Sequence, residues 1–163
     1  MNKAKITGNE VFLILDNIRS NFNVGSIFRI ADCAGIKKVF LVGVTPSPID
    51  RFGRDNKELK KVSLGGENSV SWEKVSSVSR LIGKLKKDGF EIVSLEQGAN
   101  SIDYKKFKIK SPTVIILGNE VNGIPKNILD KSDKTIEIKM EGKKESLNVA
   151  VATAVVLFRI LEI

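Results

Sequence analysis

Four short apolar runs set the strongest limit on what this chain can fold into: V-F-L-I-L-D (11–16), K-V-F-L-V-G (38–43), E-I-V-S-L (91–95) and T-V-I-I-L-G (113–118). Side chains alternate across a strand, so a run that is apolar at consecutive positions needs cover on both faces. That is how a central strand of a parallel sheet reads. The segments between carry a different period. Val24, Ile27, Phe28, Ala31 and Ala34 recur at helical spacing, with Asn23 expected as the N-cap and Gly35 as the stop. A second helix is expected over 75–88, ended by Asp88-Gly89, and Pro125 opens a short one. T-I-E-I-K-M (135–140) alternates as a strand should, and a closing helix begins near Ser146. Strands alternating with helices give an α/β fold built on a parallel sheet with right-handed crossovers. No repeat or compositional break divides the chain, so residues 1–163 read as a single domain.

Residues 44–75 are the least regular part. T-P-S-P-I-D-R-F-G-R-D-N (45–56) combines prolines, a glycine and two arginines, and the region reads as a basic, functional surface loop. The strands run into loops rich in Gly, Asn and Glu: L-V-G-V-T-P, S-L-E-Q-G-A-N, L-G-N-E-V-N-G-I-P and K-M-E-G-K-K-E-S. Ligands of open α/β sheets bind beyond the carboxyl ends of the strands, which places a site among these loops. Neither G-x-G-x-x-G nor a Walker phosphate loop is present. A Rossmann dinucleotide site and a P-loop site are therefore disfavoured.

Composition narrows the chemistry. The chain has no histidine, which removes Ser-His-Asp and Cys-His catalysis and most transition-metal sites, so no metal is expected. Its one cysteine, Cys33, excludes an internal disulfide and reads as core. Lys and Arg total 27 against 19 Asp and Glu, a net charge of +8. That balance fits an anionic partner such as nucleic acid, and equally a surface of solvated lysines. The first residues, M-N-K-A-K-I-T-G, lack the apolar core of a signal peptide, and the final apolar run is too short for a bilayer. A cytoplasmic protein without a membrane segment is expected.

The closing helix raises a question of its own. From Val149 to Phe158 only Thr153 is polar, so nearly every face of the helix asks for burial. Two hydrogen-bonding residues, Ser146 and Asn148, lead into it. Taken with two other segments, this one resembles a known family. N-F-N-V-G-S-I-F-R-I-A-D-C-A-G (21–35) is similar to the first motif of the SpoU/TrmH RNA ribose methyltransferases, with its N-x-G-x-x-x-R core. L-G-N-E-V-N-G-I-P (117–125) resembles the second motif, and I-K-M-E-G-K-K-E-S-L-N-V-A-V-A (138–152) the third. The resemblance extends from Val11 to the C-terminus.

It implies a SPOUT fold with a C-terminal trefoil knot, S-adenosylmethionine as cofactor, a homodimer, and methylation of a ribose 2′-hydroxyl in structured RNA, tRNA or rRNA. A knotted helix that also packs on a second subunit would explain an apolar surface all round. Among site residues, the resemblance implies that Asn23, Arg29, Glu120, Ser146 and Asn148 carry catalysis. Arg29 would contact the target phosphate and the hydroxyl, Asn23 and Glu120 would order the pocket and Arg29, and Ser146 would reach cofactor and arginine. Because a guanidinium holds its proton at neutral pH, stabilising developing alkoxide charge suits Arg29 better than acting as a base. Leu95, Gly118, Ile138, Met140, Ser146 and Leu147 map to the loops expected around the cofactor, with Gly118 against the adenine.

From the residues alone, plainer roles stay open: an N-cap for Asn23 or Ser146, a surface salt bridge for Arg29, core packing for the apolar positions. Gly25 reads as a close approach of another backbone. Arg51 and Arg54, with the lysines at 57–61, are candidates for holding RNA. Two positions depart from the family pattern: Asn21 and Lys139 stand where prolines are usual. A catalytically idle knotted RNA-binding protein and an RNA-unrelated nucleotide-binding domain are the competing readings.

Overall fold

The computed structural model describes residues 10–163; the expectation drawn from the first residues lies outside them. The apolar runs form strands β1 (Val11–Asp16), β2 (Lys38–Val42), β4 (Glu91–Leu95) and β6 (Thr113–Leu117). With β3 (Ser71–Val75), β5 (Ile102–Asp103) and β7 (Lys134–Glu137) they make a seven-stranded sheet in the order β3-β2-β1-β6-β4-β7-β5. Every pairing is parallel. The strands richest in consecutive apolar residues take the centre, as double-sided burial demands.

Both faces of the sheet are packed. Leu13, Leu15, Val39, Leu41, Ile115 and Leu117 point to one side, into a core shared with α1 (Asn21–Cys33) and α6 (Val149–Ile160). Ile14, Phe40, Val42, Ile92, Val114 and Ile116 point to the other, against Leu81, Ile82 and Leu85 of α4 (Val78–Lys87) and Ile128 of α5 (Lys126–Leu129). Adjacent residues of one strand thus serve opposite cores.

Several boundaries differ from expectation, each for a local reason. Helix α1 starts at Asn21 because Ser20, not Asn23, is the cap: its Oγ accepts from the Asn23 N–H at 3.2 Å. Asn23 lies inside the helix with its side chain free for other work. Helix α4 begins at Val78, capped by Ser77. β7 stops at Glu137, and Ile138, Lys139 and Met140 belong to the following loop. The closing helix begins at Val149 with Asn148 as its cap, so Ser146 lies two residues outside. Cys33 ends α1 on the exposed side and is not core.

The region 44–75 is mostly ordered structure, not one long loop. Only 44–56 is irregular; α2 (Lys57–Ser63), α3 (Gly66–Ser69) and the edge strand β3 follow. Helical spacing was hard to see here because α2 and α3 are one or two turns long and bury few residues. Gly25 lets α2 lie directly on α1: a Cβ there would stand 2.6 Å from the Leu59 carbonyl oxygen and 2.9 Å from the Val62 Cβ.

One connection matters for the site. Leu95 and Ile102 both register with Ile136, one on each flank, so the 96–101 connection passes from β4 to β5 across β7. The chain leaving β7 meets that arch on its way to α6: the Gln97 Nε2 donates to the Glu145 carbonyl at 2.8 Å. Among the described residues, no helix is long and apolar enough to cross a membrane.

Candidate active site

A cleft of about 450 Å³ opens at the carboxyl ends of β4, β6 and β7. Its walls come from loops far apart in sequence: Leu95–Gln97, Leu117–Gly123 and the stretch from Glu137 to Ala152. Asn23, Leu95, Gly118, Glu120, Ile138, Met140, Ser146, Leu147 and Asn148 all line it. Arg29, Arg51 and Arg54 do not.

A directional hydrogen-bond chain crosses the mouth of this cleft. Asn148 Oδ1 accepts from the N–H groups of Ala150 and Val151, at 2.9 and 3.3 Å, capping α6. That fixes which way its amide points, and Asn148 Nδ2 donates to Asn23 Oδ1 at 2.9 Å. Asn23 Nδ2 in turn donates to Glu120 Oε1 at 3.1 Å. Glu120 also accepts from the backbone N–H groups of Arg19 and Ser20, at 3.2 and 3.3 Å. The chain therefore starts at one helix N-terminus and ends on a carboxylate at the start of another. A negative charge beside the first turn of α1 complements its dipole. Partial burial works against the charged form of Glu120, but the donors from Asn23 and the backbone outweigh it and hold the carboxyl below its ordinary 4.5.

This geometry corrects two expected roles. Glu120 orders the start of α1; it does not touch Arg29. Arg29 lies six residues beyond Asn23 on α1, about 240° further round at 100° per residue, and is exposed. Gly118 is required by its own loop and not by a ligand alone: a Cβ there would come within 2.6 Å of the Gly123 carbonyl carbon and the Ile124 N. The Asn119 amide pins the same loop, accepting from Val121 and Asn122 and donating to the Asn17 carbonyl at 2.8 Å.

Sequence reading missed Glu96, Gln97, Asn119, Val121 and Glu137 as part of the cleft. Glu96 accepts from the Ile124 N–H at 2.9 Å and the Gln97 N–H at 3.0 Å, fastening the β4 loop to the β6 loop. Its position just past an apolar strand was the available signal, the same one that marked Glu120. A second hollow, about 460 Å³ and lined also by Arg19, Ser20 and Asn122, shares Asn23, Asn119, Glu120 and Val121 with the cleft. Among the described residues no cluster of carboxylates and cysteine could hold a metal ion.

The sequence model of the SpoU rRNA Methylase family matches residues 10–158. The chain belongs to that family. It is 28% identical over 149 residues to a tRNA (guanosine(18)-2′-O)-methyltransferase of Aquifex aeolicus, covering 91% of this chain and 67% of that one. It is 31% identical over 154 residues to a 23S rRNA (guanosine-2′-O-)-methyltransferase of Pseudomonas aeruginosa, covering 94% and 59%. A crystal structure of AdoMet-bound rRNA methyltransferase from Sinorhizobium meliloti superposes with a TM-score of 0.87 at 28% identity, over 98% of this chain and 58% of that chain. The chain thus spans about three fifths to two thirds of the length of these relatives.

Proposed function

We propose that this chain is an S-adenosylmethionine-dependent methyltransferase acting on a ribose 2′-hydroxyl of structured RNA, tRNA or rRNA. The observation that carries this reading is the Glu120–Asn23–Asn148 chain, which joins the three motif segments at the mouth of one cleft. The activities for which the relatives are named supply the reaction class.

The cleft suits the cofactor. Leu95, Leu117, Ile138, Met140 and Leu147 give an apolar wall for a flat heterocycle, and the strand-end loops surround it with polar groups. Gly118 keeps its loop folded tightly enough to leave that space open. When bound, S-adenosylmethionine supplies an electrophilic methyl group on a sulfonium sulfur. The task of the protein is alignment and charge stabilisation, which needs neither histidine nor metal. Asn23, Glu120 and Asn148 position the start of α1 and of α6. The ribose enters from the second hollow beside Arg19, which adjoins the cleft at Asn23 and Glu120, so that its 2′-oxygen reaches the methyl carbon directly.

Arg29 stabilises charge developing on the 2′-oxygen. It stands off the cleft of its own chain, so the site is completed in a homodimer. Phe22 of α1 is 64% exposed, and Val151 and Phe158, seven apart on one face of α6, are 49% and 38% exposed. These faces are the proposed two-fold contact, which accounts for the apolar residues that one chain leaves open. The knot belongs to the same proposal: the segment after β7 runs beneath the 96–101 arch before α6 docks on α1. One SPOUT domain over 1–163, acting in the cytoplasm, completes the reading.

The test is transfer of a labelled methyl group to tRNA and rRNA, followed by alkaline hydrolysis, to which a 2′-O-methylated linkage is resistant. Arg29→Ala should keep cofactor affinity by calorimetry and lose about a hundredfold or more in transfer rate. Mixing Arg29→Ala with a cofactor-binding variant should restore activity if the arginine serves the other subunit. Wild-type transfer by Arg29→Ala, or methylation of a base, would refute the mechanism. Cofactor and RNA binding without transfer to either RNA would favour an idle binding protein.

A further inference from the structure

The 49–55 hairpin carries an arrangement that the methyl-transfer chemistry does not use. Phe52 sits at its tip and is 67% exposed. The Arg51 guanidinium carbon lies 4.7 Å from the Phe52 ring centroid, and that of Arg54 lies 5.1 Å away. A lone exposed phenylalanine needs no explanation. A ring that carries two guanidiniums at the tip of an ordered turn is different.

The turn holds the ring in place. Asp50 Oδ1 accepts from the Phe52 N–H at 2.8 Å and the Arg54 N–H at 3.0 Å, while Asp50 Oδ2 takes the Arg54 Nε at 2.8 Å. Gly53 adopts φ +78°, and Ile49 pairs with Asp55 across the base. Lys60 neutralises Asp55 at 2.7 Å. Arg51 has no ion-pair partner among the described residues, and Arg54 keeps its terminal nitrogens for an outside acceptor.

The hairpin is also tied to the start of α1. Asn56, at its base, donates to the Asn21 Oδ1 at 2.7 Å, and Asn21 Nδ2 donates to Glu58 Oε2 at 2.7 Å. Asn21 is the first residue of α1, two before Asn23. The usual proline would suit that first helical position but could make neither bond. The departure from the family pattern thus couples the hairpin to the helix that lines the cleft.

We infer that Phe52 is a stacking platform for an unpaired nucleobase near the methylated nucleotide, with Arg51 and Arg54 gripping the flanking phosphates. This rests on the RNA reading above and adds to it a preference for RNA with an unstacked base. A π-face takes any base, and guanidiniums on the same ring move onto phosphate oxygens as the base slides in. A basic protein-binding surface would need no such exposed ring fixed at the tip.

The experiment compares two fluorescent RNA probes of equal length, a stem-loop and a blunt, fully paired duplex, by anisotropy. Phe52→Ala should weaken the stem-loop about five- to fiftyfold and leave the duplex unchanged. Phe52→Tyr should bind both like the wild type. The salt dependence of Phe52→Ala should match the wild type, whereas Arg51→Gln with Arg54→Gln should flatten it. 2-Aminopurine in the loop should be quenched by wild type and not by Phe52→Ala. S-adenosylmethionine calorimetry and thermal melting, unchanged in Phe52→Ala, show that the fold is intact. Equal losses on both probes, or none, overturn the stacking platform while leaving the RNA reading in place. A wild-type protein that binds neither probe overturns both.

Discussion

Replacing Asn148 by aspartate tests the hydrogen-bond chain at its most directional link. The carboxylate would still cap α6, and its charge would suit the helix N-terminus better than an amide does. On capping grounds alone the variant should be neutral or slightly stabilised. The other oxygen, however, would face Asn23 Oδ1, now 2.9 Å from a donor. Flipping the Asn23 amide relieves that clash only by turning its oxygen toward Glu120 Oε1, 3.1 Å away. No orientation of Asn23 satisfies both neighbours. Asn23 is buried, so an unmet polar group there costs about 1–3 kcal/mol, and the lower end applies because Asn148 itself is open to water. At about 2–4 °C per kcal/mol for a chain of this size, the melting temperature should fall by roughly 2–8 °C. Circular dichroism should show α6 still formed, and calorimetry should show weaker cofactor binding. A variant as stable as the wild type, with unchanged cofactor affinity, would refute the directional chain.

Gly118→Ala should weaken S-adenosylmethionine binding and cost about 1–3 kcal/mol of stability, because its Cβ would strike the Gly123 and Ile124 backbone at 2.6 Å; unchanged melting and calorimetry would contradict the packing argument. Glu120 carries a lowered folded-state pKa, so its contribution is present above 4.5 and lost as pH falls through the folded value. The stability gap between wild type and Glu120→Gln should therefore close on acidification below about 4.5 in denaturant titrations, and a gap independent of pH would contradict it. Phe158→Glu, placed on the open face of α6, should shift the protein from dimer to monomer in sedimentation; a monomeric wild type would remove the proposed interface.

Much of the fold was legible because burial on both faces leaves a one-dimensional trace. β1, β2, β4 and β6 are continuous apolar runs, and a run of that kind has few other homes. α2, α3 and β5 left no such trace: they are short, bury few side chains, and owe their form to α1 and β7 beside them. The capping residues were misread for a related reason. Both Ser20 and Asn23 are good caps, and choosing between them depends on whether Asn23 has something better to do. Glu120 and Asn148, 97 and 125 residues from Asn23, supply it.

The sequence by itself determined the alternation of strands and helices, the absence of histidine chemistry, and the three segments whose residues meet at the cleft. The first two are properties of local period and composition, and the third came from the resemblance to the SpoU/TrmH motifs; all survive without coordinates. Only the tertiary structure decided what those residues do to one another. Glu120 turned out to hold the start of α1, Gly118 to fit against its own loop, and Arg29 to stand apart from the cleft its motif helps to build. Hydrogen-bond direction, the facing of a helix and the space left by a missing Cβ depend on distances across the fold, and sequence spacing carries no record of them.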